Sequence, residues 1–204
     1  MKTTIISGSQ RKDGQSLKVA RYIESRLLEQ QLCDEAYIFS LGENPIPLWS
    51  EAIWDGDPKW RALLSPVAKE LVQSDGFVVI APEYNGMVPA GLKNFFLCFG
   101  RNELAHKPAL IVGVSSGDGG AYPVAELRMS SYKNSRICYM PEQLIVRNVE
   151  SVLNADPAKN NKDTDAYFRD RIDWTLKQLE QYAIALKQVR ESGVTDMSVY
   201  RNGM

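Results

Sequence analysis

Gly76-Phe77-Val78-Val79-Ile80-Ala81, closed by Pro82-Glu83-Tyr84-Asn85-Gly86, decides the fold of this chain. The run carries no charge and is followed directly by turn formers. That pattern marks a strand buried on both faces, as inside a parallel sheet, and not the alternating pattern of a half-wet antiparallel one. Two more runs have the same character: Thr3 to Ser7, β-branched and ending at Ser7-Gly8, and Ala109 to Val114. Glu35 to Ser40, around Tyr37-Ile38-Phe39, reads as another strand. Ile137 to Met140 and Leu144 to Val146 read as a last one, interrupted near Pro141.

Helical periodicity fills the intervals. Leu17, Ala20, Ile23, Leu27 and Leu28 fall on one face, with Ser16 predicted as the N-cap. After Pro58, the residues Trp60, Leu63, Leu64, Val67, Ala68 and Leu71 are predicted to point inward, and Ser65-Pro66 to kink the helix or mark a late start. Pro89 suits the first turn of a helix through Leu92, Phe95, Phe96 and Phe99. A further helix turns Val124, Leu127 and Ser131 inward. A long one from Asp165 to about Arg190 carries the stripe Ile172, Leu176, Leu179, Ala183 and Leu186. Strands alternating with helices predict an α/β fold: a doubly wound five-stranded parallel sheet of order 2-1-3-4-5 with helices on both faces. Residues 1–191 make a single domain, and 192–204 a C-terminal tail that is mobile or orders on a partner.

The totals narrow the partners. The chain has 204 residues, 44% hydrophobic and 24% charged, with a formal net charge of -1, which offers nothing to nucleic acid or an anionic membrane. Cys33, Cys98 and Cys138 are far apart and form neither a metal-binding spacing nor a disulfide framework. They read as free thiols in a reducing cytoplasm. There is no signal-peptide pattern at the start, and no run approaches the roughly 20 apolar residues of a membrane span. The sole histidine, His106, precedes a strand start, away from the proposed site, and reads as a surface or capping residue.

In a doubly wound sheet the ligand sits at the carboxyl ends of the strands, where the strand order reverses. Three loops meet there: Gly8 to Ser16, Pro82 to Pro89, and Ser115 to Gly120. The first has small residues, Arg11, Lys12 and a following helix start, a combination suited to phosphate and equally found in ordinary polar loops. It contains neither Gly-x-Gly-x-x-Gly nor the P-loop spacing, so neither fingerprint applies. The long excursion Leu41 to Asp57, with Trp49 and Trp54, packs on its own domain or covers a ligand or a neighbouring subunit.

These loops resemble the NADPH-dependent FMN reductase family of flavodoxin-like proteins. Gly8-Ser9-x-Arg11 with Ser16 resembles its first signature. Pro82-Glu83-Tyr84-Asn85-Gly86, followed by Pro89 and Leu92-Lys93-Asn94, resembles the second, which is the more specific match. Ser115 to Gly120 with Leu127-Arg128 resembles the third. The resemblance implies bound FMN. Ser9, Arg11, Gln15 and Ser16 would hold the phosphate. Pro82, Glu83, Tyr84 and Asn85 would line the isoalloxazine ring, largely through backbone groups, with Tyr84 the side chain to touch it. Ser116 and Gly117 would approach from the other side. It further implies NADPH or NADH as co-substrate, a small electron acceptor (quinone, flavin, azo compound or metal oxyanion) and a homodimer or homotetramer. The flavin carries the chemistry, so no side chain is assigned as catalytic and no metal is required.

The chain departs from the family pattern in three places. Met87 stands where Ser is common. Phe95-Phe96-Leu97-Cys98-Phe99 lacks the usual Asp and Trp. The glycine turn is one residue short. Two other classes compete: an FMN electron carrier, against which the near-neutral charge speaks, and a flavin-free interaction module, against which Arg11 and Tyr84-Asn85 speak.

Overall fold

The computed structural model describes residues 1–203. Its centre is a sheet of five parallel strands in the order β2-β1-β3-β4-β5. The strands are β1 (Lys2–Ser7), β2 (Glu35–Ser40), β3 (Gly76–Pro82), β4 (Pro108–Val114) and β5 (Cys138–Val146). β1, β3 and β4 are buried along their whole length, which is why their sequences need no polar alternation. The architecture and strand order are those expected from the sequence.

Among the described residues six α-helices complete the fold: α1 (Gln15–Glu29), α2 (Pro58–Gln73), α3 (Ala90–Cys98), α4 (Arg101–Leu104), α5 (Ala121–Met129) and α6 (Lys162–Glu191). Successive strand side chains feed opposite cores. Val78 and Ile80 meet Val19 and Ile23 of α1 and Ile172 and Leu176 of α6. Phe77, Val79 and Ala81 meet Leu71 of α2, Phe95 of α3 and Leu127 of α5. Arg26 of α1 reaches Asp173 of α6 with two bonds of 2.8 and 2.7 Å, a fork that ties the helices of the first layer together.

Several local expectations are corrected. Ser16 is not the cap of α1: the chain enters the helix at Gly14, and Ser16 lies buried in the first turn. Pro89 is itself the residue before α3. Leu28 is exposed. On α2 only Leu71 is fully buried, with Leu63 exposed and Trp60, Leu64, Val67 and Ala68 partly covered. Pro66 neither breaks nor delays α2. Ser131 lies beyond the end of α5. β5 is one strand: it bulges opposite Ala109 and Ile111, and Pro141, which has no N–H to offer, falls in the bulge. The stretch after α6 runs back over its own chain, where Arg101 and Arg136 donate to the carbonyls of Arg201 and Tyr200, and Gly203 N–H donates to Asn134.

Candidate functional site

The carboxyl end of β1 releases a tightly folded loop. The Ser9 hydroxyl is buried, receives the Arg11 N–H at 3.2 Å and bonds the Tyr84 hydroxyl at 2.8 Å. Gly14 packs so closely that a Cβ there would lie 2.7 Å from Ser9 Oγ, so a side chain at this position would disrupt the loop. Because Gly14 is also the N-cap, no side chain caps α1, and there is no acidic residue in its first turn. Among the described residues the N–H groups of Gln15 and Ser16 find no acceptor. Arg11 is exposed and has no carboxylate partner among the described residues. Gln15 Oε1 is buried and unpartnered.

The loop after β3 is built differently. Glu83 N–H donates to Val114 O at 2.9 Å, and its carboxylate accepts the Gly120 N–H at 2.6 Å. Through this bond Glu83 clasps the glycine turn. Tyr84 and Met87 exchange backbone bonds of 3.1 and 3.0 Å around Asn85 (φ 54) and Gly86 (φ 73). This is the left-handed pair of a type I′ turn, the conformation that Asn-Gly favours. The backbone donors of Glu83 and Tyr84 are thus both spent, and the first free N–H belongs to Asn85. Further along, Val88 N–H donates to Glu126 at 2.7 Å. Burial pushes the Glu126 carboxyl up, but Lys93 and the Val88 N–H more than offset this and hold it below its ordinary value.

The glycine turn after β4 joins the segment after β5, which carries no motif. Asn148 N–H donates to Gly117 O at 3.1 Å, and Arg147 donates to Asp118 O at 2.7 Å. Beyond them Val149 and Glu150 come to the site. Lys18 of α1 fixes this segment, donating to Val149 O at 2.5 Å, Val152 O at 2.8 Å and Asn154 Oδ1 at 3.0 Å. Burial lowers the Lys18 ammonium below its ordinary value. The signal for Val149 and Glu150 was topological, since a fifth parallel strand must deliver its carboxyl end to the same edge.

Together these segments close a ring of hydrogen bonds. It runs from the first loop to the β3 loop through Ser9 and Tyr84, on to the glycine turn through Glu83, on to the β5 loop through Asn148, and back to α1 through Lys18. Inside is a cleft of ≈ 80 Å³ lined by Ser9, Arg11, Gln15, Ser16, Pro82, Glu83, Tyr84 and Ser116, with Gly14, Val114, Ser115, Val149 and Glu150. Asn85 and Gly117 are not in this lining. His106 lies at the opposite edge of the sheet, where its N–H meets Arg136 O ahead of β4. Among the described residues no cluster of His, Cys, Asp or Glu is arranged for a metal.

One wall of the cleft suits a phosphate: unpaired N–H groups at a helix start, an unpaired guanidinium and a serine hydroxyl. The buried Gln15 amide adds a group that pairs with a ligand hydroxyl through its oxygen, or with an anion through its nitrogen once turned. The residues present therefore fit a flavin mononucleotide. Comparison with known proteins agrees. The sequence model of the NADPH-dependent FMN reductase family matches residues 1–151. An NADPH azoreductase from Bacillus sp. (strain OY1-2) is 25% identical over 193 residues, covering 94% of this chain and 97% of its own. A 2-hydroxy-1,4-benzoquinone reductase from Burkholderia sp. is 25% identical over 180 residues, covering 85% and 93%. In fold, the chain is similar to the flavoenzyme NAD(P)H:(acceptor) oxidoreductase FerB from Paracoccus denitrificans, with a TM-score of 0.68 and 21% identity over 90% of this chain and 97% of that one. The chain thus belongs to the NADPH-dependent FMN reductase family, as an FMN-dependent NAD(P)H oxidoreductase of flavodoxin-like fold.

Proposed function

We propose that this protein reduces quinone or azo acceptors with electrons from NAD(P)H, and that Ser9, Arg11, Ser16 and Gln15 hold the FMN phosphate and its neighbouring chain. The acceptor classes are those for which two full-length relatives are named. The observation that carries the reading is the convergence of unpaired phosphate-type donors on the same cleft as the β3 loop and Ser116.

Bound FMN supplies two-electron chemistry between a nicotinamide and an acceptor. The chain's own residues bind and orient. The α1 N-terminus and Arg11 balance the phosphate charge. Pro82 and Tyr84 form one wall for the ring, and Ser116 the other, with Gly117 next to it outside the cleft lining. The free N–H groups of Asn85 and Ser116 are the donors left for its polar edge, since those of Glu83 and Tyr84 are engaged within the fold. No side-chain acid or base is assigned a proton.

Self-association belongs to the same proposal. Leu97 is exposed at an apolar groove of ≈ 340 Å³ between α3 and the segment after α5, which Val88, Phe96 and Leu127 also line. An open apolar groove of this kind supports contact with a second copy. The unpaired thiols of Cys33, Cys98 and Cys138 suit a reducing cytoplasm. No described helix is long and apolar enough to cross a membrane.

The test is an anaerobic spectrum of the flavin-loaded protein. NADPH or NADH should bleach the visible flavin band, and benzoquinone or an azo dye should restore it. A band that stays oxidised with both nucleotides overturns the reading.

A further inference from the structure

The glycine turn Ser115 to Gly120 takes its shape from outside. Among the described residues the one bond within it runs from the Gly117 N–H to Ser115 Oγ, at 3.2 Å. Its carbonyls are held by the segment after β5. The Asn148 N–H donates to Gly117 O at 3.1 Å, and the Arg147 Nε–H is shared between Asp118 O at 2.7 Å and Gly119 O at 3.1 Å. Three consecutive carbonyls thus turn toward that segment. The Asn148 amide adds a bond to the Asp118 carboxylate at 3.2 Å.

One peptide of this turn stands between two opposite charges. The oxygen of the Gly119–Gly120 peptide accepts from Arg147, and its N–H donates to the Glu83 carboxylate at 2.6 Å. Both bonds are charge-assisted and so stronger than neutral ones. This is also the peptide least able to keep its own orientation, for it has no Cβ on either side and Gly120 holds φ at 99. Turned over, it would set its oxygen against the Glu83 carboxylate and its N–H against the Arg147 guanidinium, repulsive at both ends. A Cβ on Gly119 would lie 2.7 Å from Glu83 Oε1, so a side chain there would push the clasp apart. Arg147 is exposed and has no carboxylate partner among the described residues, so its charge falls on these carbonyls.

We propose that Arg147 and Glu83 are positioning residues for the flavin reaction. Locked between them, the Gly119–Gly120 peptide fixes the turn that carries Ser116, and with it the width of the slot for the ring. Ser116 lines the cleft together with Pro82 and Tyr84, whereas Arg147 is not in the lining and acts on the flavin only through the turn. In a turn one residue short of the family pattern, the reach of Ser116 toward the ring depends on where the turn is tethered. The inference rests on the reductase reading and deepens it, giving a task to a residue outside all three family motifs. Because the clamp works on the ring wall, it is blind to the phosphate.

The test titrates flavin-free protein with FMN and with riboflavin, followed by flavin fluorescence. Arg147→Ala should weaken both by the same factor, about tenfold, the lower end of the scale of a hydrogen bond to a charged group. Arg147→Lys, which keeps the cation and a donor, should recover most of both affinities. Glu83→Gln, which keeps an oxygen to accept the Gly120 N–H, should bind both flavins far better than Glu83→Ala. The visible circular dichroism of bound FMN, which reports the surroundings of the ring, should change shape in Arg147→Ala and return in Arg147→Lys. Should Glu83→Ala fail to fold, the exposed Arg147 changes still decide the matter. Unchanged affinities in Arg147→Ala with only a lower urea midpoint of the flavin-free protein overturn the inference. A loss confined to FMN, or a lysine no better than alanine, overturns it as well. The reductase reading fails differently: then neither NADPH nor NADH bleaches the flavin of the unaltered protein.

Discussion

The hydroxyl of Tyr84 is bonded to Ser9 in the loop proposed to hold the phosphate. Family resemblance assigns this tyrosine to the ring, and the bond ties its polar end to that loop as well. Tyr84→Phe removes one neutral hydrogen bond, worth about 1 kcal/mol. FMN should then bind roughly fivefold more weakly while riboflavin, which lacks the phosphate, is unaffected. Fluorescence titration with both ligands measures the contrast. Arg11→Ala should cost more, on the order of 1.5–3 kcal/mol for a charged contact, with the same selectivity for FMN over riboflavin. A different residue governs alkaline stability. Lys107 is buried and donates to Leu71 O, Val72 O and Glu103 O, at the ends of α2 and α4. Burial, with Arg190 nearby, pushes its ammonium down to about 8 from 10.5. Between those two values the unfolded chain keeps a proton that the folded chain has released, so unfolding free energy should rise with pH across the window. The rise is bounded by about 3 kcal/mol. Below the window Lys107 is charged in both states and the slope vanishes. Urea denaturation at pH 8 and pH 10 measures it, and Lys107→Met should flatten the difference.

At the scale of elements, the long buried strands were legible because burial on both faces leaves an unbroken apolar run. What escaped was decided by neighbours. Spacing alone points to an inward face on α2, yet most of its apolar residues are only partly covered, since helix position and not periodicity sets burial. Ser16 satisfies the capping preference, but the chain turns into the helix at Gly14, packed close against Ser9, so the helix starts at Gln15 and Ser16 falls inside its first turn. The motif around Glu83 fixes its place and says nothing of Gly120, a partner far along the chain. Val149 and Glu150 carry no motif at all. Pro66 offers a test at this scale. It sits exposed inside a continuous α2 and denies the Ala62 carbonyl its helical donor. A proline in a helix interior costs about 3 kcal/mol relative to alanine, less up to about 1 kcal/mol for its stiffening of the unfolded chain. Pro66→Ala should therefore stabilise the protein by about 2 kcal/mol, seen as a higher midpoint in urea.

For the whole molecule, the flavin is a folding partner, because the cleft exists only when the distant loops are assembled. At a hundredfold excess over its dissociation constant FMN should add about 2.7 kcal/mol. For a domain of this size that raises the melting temperature by roughly 5–10 °C. Arg11→Ala should shrink the increment at the same FMN concentration, which differential scanning fluorimetry can follow. The sequence disclosed the general plan of the site, three loops at the strand ends, but not its closure, because closure depends on contacts between residues far apart in the chain. The hydrogen-bonded ring around the cleft carries its own consequence. A hoop severed at any one point is already open, and a second cut releases little more. Tyr84→Phe and Lys18→Met, on opposite arcs, should each loosen the rim. Their combination should cost distinctly less than the sum of the two single changes, although the side chains never touch.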